Sequence, residues 1–417
     1  MITMQADIVV VGGGPAGLAA ALKARACGAE KVMIIERDQQ LGGILQQCIH
    51  DGFGLQRFGK RLSGTQYAQA FIDEVSKTDI QVKLDTMVLE ITKDRVLYAC
   101  NQKDGMLEIR AGAIILTMGC RERTASQVFI YGDRPTGVLT AGAVQRYINM
   151  EGYLPGKRAV ILGSGDIGLI MARRMTLEGM SVEGVYEVMP SPGGLTRNIV
   201  QCLDDFDIPM HLATTVVQVH GRQRVEAVTV AKVDEKRQPI PGTERTIPCD
   251  LLVLAVGLIP ENELSRQAGI EIDPRTKGPV LDNSFMTSIP GIFAAGNVGV
   301  VFDLVDYVSK SGEIAAESAA AYIKGELPLD GPYQAVTCGE NVNFAVPQRI
   351  RPNGRPATFF LRVKSPKKLA KLRCTAGEDV LFQKTCRYVA PPEMLTLEAE
   401  HCGDRDIEIS VNEVESK

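Results

Sequence analysis

The chain has 417 residues, 45% of them hydrophobic and 23% charged, with a formal net charge of −4 at pH 7. That length exceeds one ordinary core and predicts two or three domains, and the composition is that of a soluble globular protein rather than a disordered or fibrous one. The acidic balance and the lack of a long basic tract argue against a general nucleic-acid surface, so the local run Lys364–Arg373 (KSPKKLAKLR) reads as a solvated edge, with docking of a protein partner as the second reading.

No leader is expected, because the first apolar strand pattern begins at Ile8. The stretch Ile8–Leu22 is apolar but holds four Gly and a Pro, so it reads as strand, turn and helix rather than as a membrane span. Ile8–Val11 predicts that strand, broken by Gly12-Gly13-Gly14-Pro15-Ala16-Gly17. An Ala/Leu-rich helix follows, then a second strand, Val32–Ile35, that runs into Glu36-Arg37. This is a βαβ unit with a nucleotide clamp in its first turn. Gly12 permits the tight turn, Gly14 lets backbone N–H groups approach a pyrophosphate, and Gly17 lets helix and strand pack closely. The helix N-terminus adds partial positive charge for phosphates. Glu36, 19 residues after Gly17, is placed to accept from a ribose.

Leu41-Gly42-Gly43-Ile44 suggests backbone passing close to the bound nucleotide. Tyr67–Lys77 reads as a helix. Gln81–Leu84, Val88–Ile91, Val96–Ala99 and Leu107–Arg110 read as a four-strand β-meander, and Ala113–Leu116 as a buried strand ending in Thr117-Met118-Gly119. Residues 120–156 read as a crossover with a helix at Ala141–Met150. Then the opening pattern recurs: strand Arg158–Leu162, turn Gly163-Ser164-Gly165-Asp166-Ile167-Gly168, helix Leu169–Glu178, and strand Val182–Tyr186 ending on Glu187. Glu187 again stands 19 residues after the last glycine, so two dinucleotides are expected. A carboxylate there accepts from a free 2′-hydroxyl and repels a 2′-phosphate, which favours NAD(H) over NADP(H). Arg173 and Arg174 read as facing other layers, and Arg197 as a possible phosphate contact.

Strand patterns continue at 214–218, 225–231 and 251–256, the last meeting Gly257. Ile292–Ala294 meets a turn at Gly296-Asn297-Val298, and Ser311–Lys324 reads as an alanine-rich helix. Beyond Pro332, apolar runs at Ala357–Lys364, Lys371–Thr375, Val380–Val389, Met394–Glu400 and Ile407–Asn412 predict a separate antiparallel β domain, sandwich-like, over residues 331–417. The ten cysteines include no CxxC. The tail cysteines 338, 374, 386 and 402 are spaced by 36, 12 and 16, unlike compact zinc or iron–sulfur motifs, so no metal is expected. Most thiols are expected to be reduced, and the cytoplasm is the expected location.

The combination of Gly12–Gly17 with Glu36, Thr117-x-Gly119, Gly163–Gly168 with Glu187, Val256-Gly257 and Gly291–Asn297 resembles the two-dinucleotide-binding flavoproteins of the pyridine nucleotide–disulfide oxidoreductase superfamily. Gly42 to Leu55, Arg134-Pro135-Thr136-Gly137 and Gly163 to Arg174 are similar to one branch of it. That branch holds the FAD/NAD-binding subunits associated with opine, amino-acid, 2-hydroxyglutarate and glycerol-3-phosphate dehydrogenases. The resemblance implies an α/β chain with two Rossmann-like domains. An NAD(H) domain (121–254) would be inserted into an FAD domain (1–120 and 255–330), ahead of the C-terminal β domain. It implies that Gly12, Gly14, Pro15, Ala16, Gly17, Glu36 and Arg37 hold the FAD pyrophosphate and ribose. Gly43 and Ile44 would lie along the flavin, Val88 beside the adenine, and Thr117 and Gly119 over the cofactor. Gly296, Asn297 and Val298 would meet the ribityl chain and ring. Gly163, Gly165, Asp166, Ile167 and Glu187 would serve NAD(H), and Gly257 is a further cofactor-binding position. Asn297 stands where the family commonly has Asp.

Disulfide reductases of the superfamily carry a cysteine pair, and this chain has only Cys48 after the first acid, so a dithiol relay is not expected. Cys48 reads as a packing residue or as a peroxidase-type sulfenic acid centre, and His50 as a loop anchor or a proton donor. The expected activity is hydride exchange between nicotinamide C4 and flavin N5, which needs no side-chain acid or base, so no catalytic residue is expected. The resemblance also implies two kinds of partner: a flavoprotein dehydrogenase subunit that oxidises a small hydroxy acid, amino acid or glycerol 3-phosphate, and a small cysteine-rich subunit. The alternatives are a stand-alone NADH oxidase or peroxidase and a non-catalytic FAD-bound scaffold.

Overall fold

The computed structural model describes residues 1–399 and 405–414. The chain divides into two compact units, Met1–Cys120 with Pro260–Lys417, and Arg121–Ile259. The first unit opens with β1 (Ile2–Val11), α1 (Pro15–Ala26), β2 (Val32–Ile35), α2 (Gly64–Val75), β3 (Gln81–Lys83), β4 (Met87–Ile91), β5 (Val96–Asn101) and β6 (Gly105–Leu116). Its sheet runs β3-β2-β1-β6-β5-β4. The β1, β2, β3 and β6 pairings are parallel, while β5 and β4 return antiparallel. Ile8, Val9, Val10 and Val11 are all buried, as a strand covered on both faces requires.

Three details differ from the sequence reading. Gln81–Lys83 is not part of a meander. It pairs in parallel with Met33–Ile35, which leaves three meander strands. Leu107–Arg110 and Ala113–Leu116 are one strand that changes neighbour at its middle: β5 flanks residues 105–110, and the later strand Ile292–Ala294 flanks 114–116. Helix α2 begins at Gly64, because Ser63 and Gln66 form a reciprocal capping box.

The second unit contains β7 (Val138–Thr140), α3 (Ala141–Asn149), β8 (Arg158–Leu162), α4 (Asp166–Leu177), β9 (Ser181–Tyr186), α5 (Thr196–Cys202), β10 (Met210–His211), β11 (Thr214–His220), β12 (Ala227–Lys232), β13 (Arg245–Pro248) and β14 (Leu251–Leu254). A parallel sheet, β7-β14-β8-β9-β10, carries the helices, and an antiparallel sheet holds β11-β12-β13. The crossover read over 120–156 therefore hides a sheet strand, since Val138–Thr140 pairs with Leu252–Leu254.

The chain then re-enters the first unit with β15 (Ile292–Ala294), parallel to β6, and α6 (Val305–Ile323). Helix α6 starts well before the predicted Ser311. The serines of its first half are satisfied: Ser311 Oγ donates to the Val308 carbonyl at 2.7 Å, and Ser309 Oγ pairs with Tyr67 OH of α2 at 2.9 Å. Small residues line its buried face (Ser311, Gly312, Ala315, Ala316, Ala319, Ala320), matching the alanine face of α1.

The C-terminal region holds β16 (Gln334–Cys338), β17 (Val342–Val346), β18 (Arg349–Ile350), β19 (Ala357–Val363), β20 (Lys367–Ala376), β21 (Asp379–Val389), β22 (Leu395–Ala399) and β23 (Ile407–Glu413). They form two sheets, β18-β16-β23-β20-β21 and β17-β19-β22. The arrangement is not wholly antiparallel, because β16 and β23 pair in parallel. Nor does the region stand apart as the sequence suggested. Along β19, Phe359, Leu361 and Val363 fill a core with Leu372, Ile409 and Val411, whereas Phe360 on the opposite face joins the first unit's main core. Arg351 adds a buried ion pair to Asp282 at 3.3 Å, and its N–H donates to Asn283. The chain is thus α/β, two Rossmann-like units with a β-rich C-terminal region.

A Cβ at Gly312 would lie 2.3 Å from the Ala16 carbonyl oxygen. Gly312→Ala must therefore push α1 and α6 apart. It is expected to cost ~1–3 kcal/mol, read as an earlier transition of the first unit in chemical denaturation.

Candidate functional site

Each parallel sheet ends in a glycine turn built to one plan. In the first unit the turn joins β1 to α1. Gly12 has φ +107°, and a Cβ there would sit 2.5 Å from the Thr117 carbonyl oxygen. At Gly17 it would sit 1.9 Å from the Gly12 carbonyl oxygen, so both glycines are forced by contact. Gly14 is different: a Cβ there meets no protein atom within 4 Å. It is the N-cap of α1, whose end has no side-chain cap, and Pro15 takes the first helical position, where its missing N–H costs nothing. Thr117, at the end of β6, ties the turn down by donating its hydroxyl to the Val11 and Gly12 carbonyls at 2.8 and 2.9 Å.

Glu36 is 7% exposed. Its Oε2 accepts from the Gly13 N–H at 2.6 Å and its Oε1 from the Asp38 N–H at 2.8 Å. One lone pair remains on each oxygen, which suits a ribose diol. Arg37 beside it points to solvent. Gly42 donates its N–H to the Gly13 carbonyl at 2.8 Å, which brings Gly43 against Gly14 and leaves Ile44 59% exposed. Gly119 sits just past β6 at φ +74° with open space over its Cβ position. Gly296 abuts the clamp, since a Cβ there would lie 2.8 Å from the Ala16 Cβ. Asn297 follows it, half-buried, and Val298 is buried in the core. Val88 is also buried, paired with Ala99 in the meander.

In the second unit the turn joins β8 to α4. Gly163 has φ +98°, with a Cβ position 2.2 Å from the Ala255 carbonyl oxygen, and at Gly168 the Cβ would lie 2.7 Å from the Gly163 carbonyl oxygen. Gly165, the uncapped N-cap, is open: its nearest neighbour is the Ala255 carbonyl oxygen at 4.0 Å. Glu187 is again 7% exposed. Its Oε2 accepts from the Ser164 N–H and hydroxyl at 2.9 and 2.6 Å, and its Oε1 from the Met189 N–H at 2.9 Å. Gly257 accepts from the Arg123 N–H at 3.0 Å.

Asp166, at the first position of α4, turns away from the open face of the turn. Its Oδ1 accepts from the Leu195 N–H at 2.9 Å and the Asn198 amide at 2.7 Å, and so starts α5. Ile167 is half-buried against the unit's core. Arg173 and Arg174 do not face other layers: Arg173 lies over the Phe206 ring at 5.7 Å, and Arg174 pairs with Glu178. Arg197 is exposed.

Two glycine turns with uncapped helix ends, open Cβ space and a fixed acid after the next strand have the construction that dinucleotide binding calls for. The pattern of the pyridine nucleotide-disulphide oxidoreductase family matches residues 6–317. The chain belongs to that family. It is a flavin- and pyridine-nucleotide-dependent oxidoreductase, and residues 318–417 lie outside the family match. Among curated relatives, an opine oxidase subunit of Agrobacterium tumefaciens (strain Ach5) is 26% identical over 76% of this chain and 66% of its own length. Hydrogen cyanide synthase subunit HcnB of Pseudomonas protegens is 26% identical over 76% of this chain and 70% of its own. The chain thus spans about two thirds of the length of these relatives. Among solved structures, the thioredoxin reductase of T. acidophilum superposes with a TM-score of 0.60 at 23% identity, over 76% of this chain and 98% of that one. That likeness speaks for the fold.

Cys48 lies buried, with its Sγ donating to the Ile44 carbonyl at 3.3 Å. Nine cysteines are free among the described residues, and Cys402 lies outside them. Burial pushes the Cys202 and Cys338 thiols up, and Cys249 up to about 11, which disfavours the thiolate at all three.

The sequence reading passed over Ser164 and the pair Gly193-Gly194. The signal was present in the spacing. Gly42-Gly43 and Gly193-Gly194 each stand six and seven residues after their acid, and both fold back onto the turn. Ser164→Ala removes the hydroxyl that donates to Glu187 and accepts from the Gly193 N–H at 2.8 Å. The expected loss is about 1–3 kcal/mol in the second unit's unfolding transition, with the first unit unaffected.

Proposed function

We propose that this chain is the NAD(H)-linked flavin subunit of a multi-subunit oxidoreductase. The first cradle (residues 1–120 and 255–330) holds FAD, and the second (121–254) holds NAD(H). The observation that carries the reading is the paired construction of the two cradles, each with an open Cβ position at its middle glycine. The glycine-turn N–H groups and helix ends bind the two pyrophosphates, and the buried acids Glu36 and Glu187 orient the riboses. Glu187 favours NAD(H) over NADP(H), because a 2′-phosphate would meet a buried carboxylate held by neutral N–H and O–H donors. The flavin supplies the hydride chemistry at N5 when bound.

The relatives named above are subunits of larger enzymes, which supports a partner flavoprotein dehydrogenase and a substrate that is a small hydroxy acid, amino acid or glycerol 3-phosphate. A small cysteine-rich subunit belongs to the same reading. No helix among the described residues is long and apolar enough to cross a membrane. The reduced thiols favour the cytoplasm.

Gly14 and Gly165 give a clean test, since a Cβ at either position meets no protein atom closer than 4.0 Å and a side chain built on it takes up the space over the helix end. Gly14→Val is expected to fold and to be isolated without flavin. Gly165→Val is expected to keep FAD and to require at least roughly tenfold more NADH for half-bleaching in an anaerobic titration, ~1.4 kcal/mol of lost binding. An oxidised flavin spectrum in wild type under excess NADH would overturn the reading.

A further inference from the structure

The stretch Lys364–Val389 carries a charge unlike that of the rest of the chain. It holds seven Lys or Arg against two acids, in a protein of net charge −4. It builds β20 and β21, the outermost pair of the five-stranded sheet, and β21 is laddered to β20 alone. One whole side of an 11-residue strand is therefore without a neighbour, and Val389 alone of its residues is buried. The two acids, Glu378 and Asp379, stand together where β20 turns into β21, and Arg405 lies 3.6 Å from Asp379. Lys367, at the other end, pairs with Glu413 at 3.2 Å. Among the described residues, no carboxylate is paired with Lys368, Lys371, Arg373, Lys384 or Arg387.

The register sorts these cations onto two faces. Leu372 is buried in the core and stands directly opposite Lys384. Lys384 therefore shares the core-facing side of β21 with Phe382 and Cys386, which are partly buried against that core, yet it is exposed. Lys371 and Arg373 stand opposite Thr385 and Gln383 on the outer side, which Arg387 shares. The free edge thus presents one cation on each face, with an apolar side chain on either side of Lys384. A second copy of this edge is disfavoured as the occupant, because Lys384 and Arg387 would meet like charges. The opposite charge is what this edge attracts.

We infer that β21 is a docking edge for an extended acidic segment of a partner protein, which adds to the sheet as a sixth strand. The free N–H and C=O groups of β21 supply the main-chain bonds, and the side chains select the segment. In antiparallel addition the residues opposite Lys384 and Arg387 are acids, and those opposite Phe382 and Cys386 are apolar. Read along the partner, the pattern is acid, apolar, any, acid, any, apolar. The apolar pair covers the rim of the core, and the acids neutralise two cations left without an ion pair. This edge lies beyond residues 6–317, the span of the family match, and the inference does not depend on which cofactor either glycine turn holds.

The test uses the full chain and a labelled octapeptide, Thr-Glu-Val-Thr-Glu-Thr-Val-Thr, followed by fluorescence anisotropy and amide hydrogen exchange. One comparison peptide has Lys at both Glu positions, and another has Pro-Pro in place of the first Val-Thr. The acidic peptide is expected to bind at least roughly tenfold more tightly than the lysine peptide, since two attractive cross-strand pairs become two repulsive ones. The proline peptide is expected to bind more weakly as well, because Pro cannot donate to a ladder. Slowed exchange is expected along β21. Lys384→Glu with Arg387→Glu is expected to reverse the order of the two charged peptides. Equal binding of those two peptides, binding of neither, or slowed exchange that leaves β21 unchanged overturns the inference. These readouts on the wild-type chain decide the matter even if the double variant fails to fold. A wild-type chain that dimerises with rising concentration and slows exchange along β21 without peptide gives the edge to a second copy, and overturns the inference as well.

Discussion

In each unit a carboxylate is taken almost wholly out of water and held by backbone N–H groups. Glu36 is caught between Gly13 and Asp38, and Glu187 between Ser164 and Met189. Burying an ionised carboxylate costs several kcal/mol unless donors replace its hydration. The donors here are main-chain groups on two different segments, the glycine turn and the residues after the second strand, joined at Glu187 by the Ser164 hydroxyl. Satisfying the acid therefore locks the turn to the strand end, and it fixes where the helix N-terminus points. The position of each glycine turn and of the helix end behind it is set by that one buried acid.

The second constraint is steric. The glycine turns close only because no Cβ stands between Gly17 and the Gly12 carbonyl, or between Gly168 and the Gly163 carbonyl. In the first unit the same economy of atoms extends outward. Gly312 admits the Ala16 carbonyl, and Gly296 admits the Ala16 side chain, so α1, α6 and the turn after β15 converge on one clamp. The small residues of α1 and α6 are thus a condition of the cradle's shape.

These constraints decide what could be read in advance. Both glycine turns, both acids and the strands around them were legible, because each demand falls on residue identity: glycine where a Cβ collides, an acid at a set distance. The anchoring of the acids was not legible, since it is made by the N–H groups of Gly13, Asp38 and Met189, which any residue would supply. Strand β6 was read as two because Arg110-Ala111-Gly112 breaks the apolar run. Gly112 is instead a close approach, with its Cβ position 2.8 Å from the Asp7 carbonyl oxygen. The C-terminal region looked separate because, beyond Pro332, strand-like runs follow one another between turn residues. In β19 one set of alternate residues, Ala357, Phe359, Leu361 and Val363, is buried in the region's own core, while Phe360 of the other set is buried in the first unit's main core, and sequence period alone does not tell which core receives Phe360.

The two cradles share a plan but differ in what closes them. Backbone alone brings Gly42-Gly43 onto the first turn, through the Gly42 N–H and the Gly13 carbonyl. The corresponding Gly193-Gly194 segment is tied by side chains, Ser164 to the Gly193 N–H and Asp166 to Leu195 and Asn198. Asp166 therefore places a negative charge in the first turn of α4, whereas the first turn of α1 carries no acid. A carboxylate there complements the helix dipole without a ligand and competes with a bound phosphate for the same field. Ser164 also occupies Glu187 Oε2 with two donors, leaving less acceptor capacity than Glu36 retains. Both differences leave the second turn with less free donor and acceptor capacity than the first. On the proposed assignment this matches the division of labour between a nicotinamide that must leave after each turnover and a flavin that must stay.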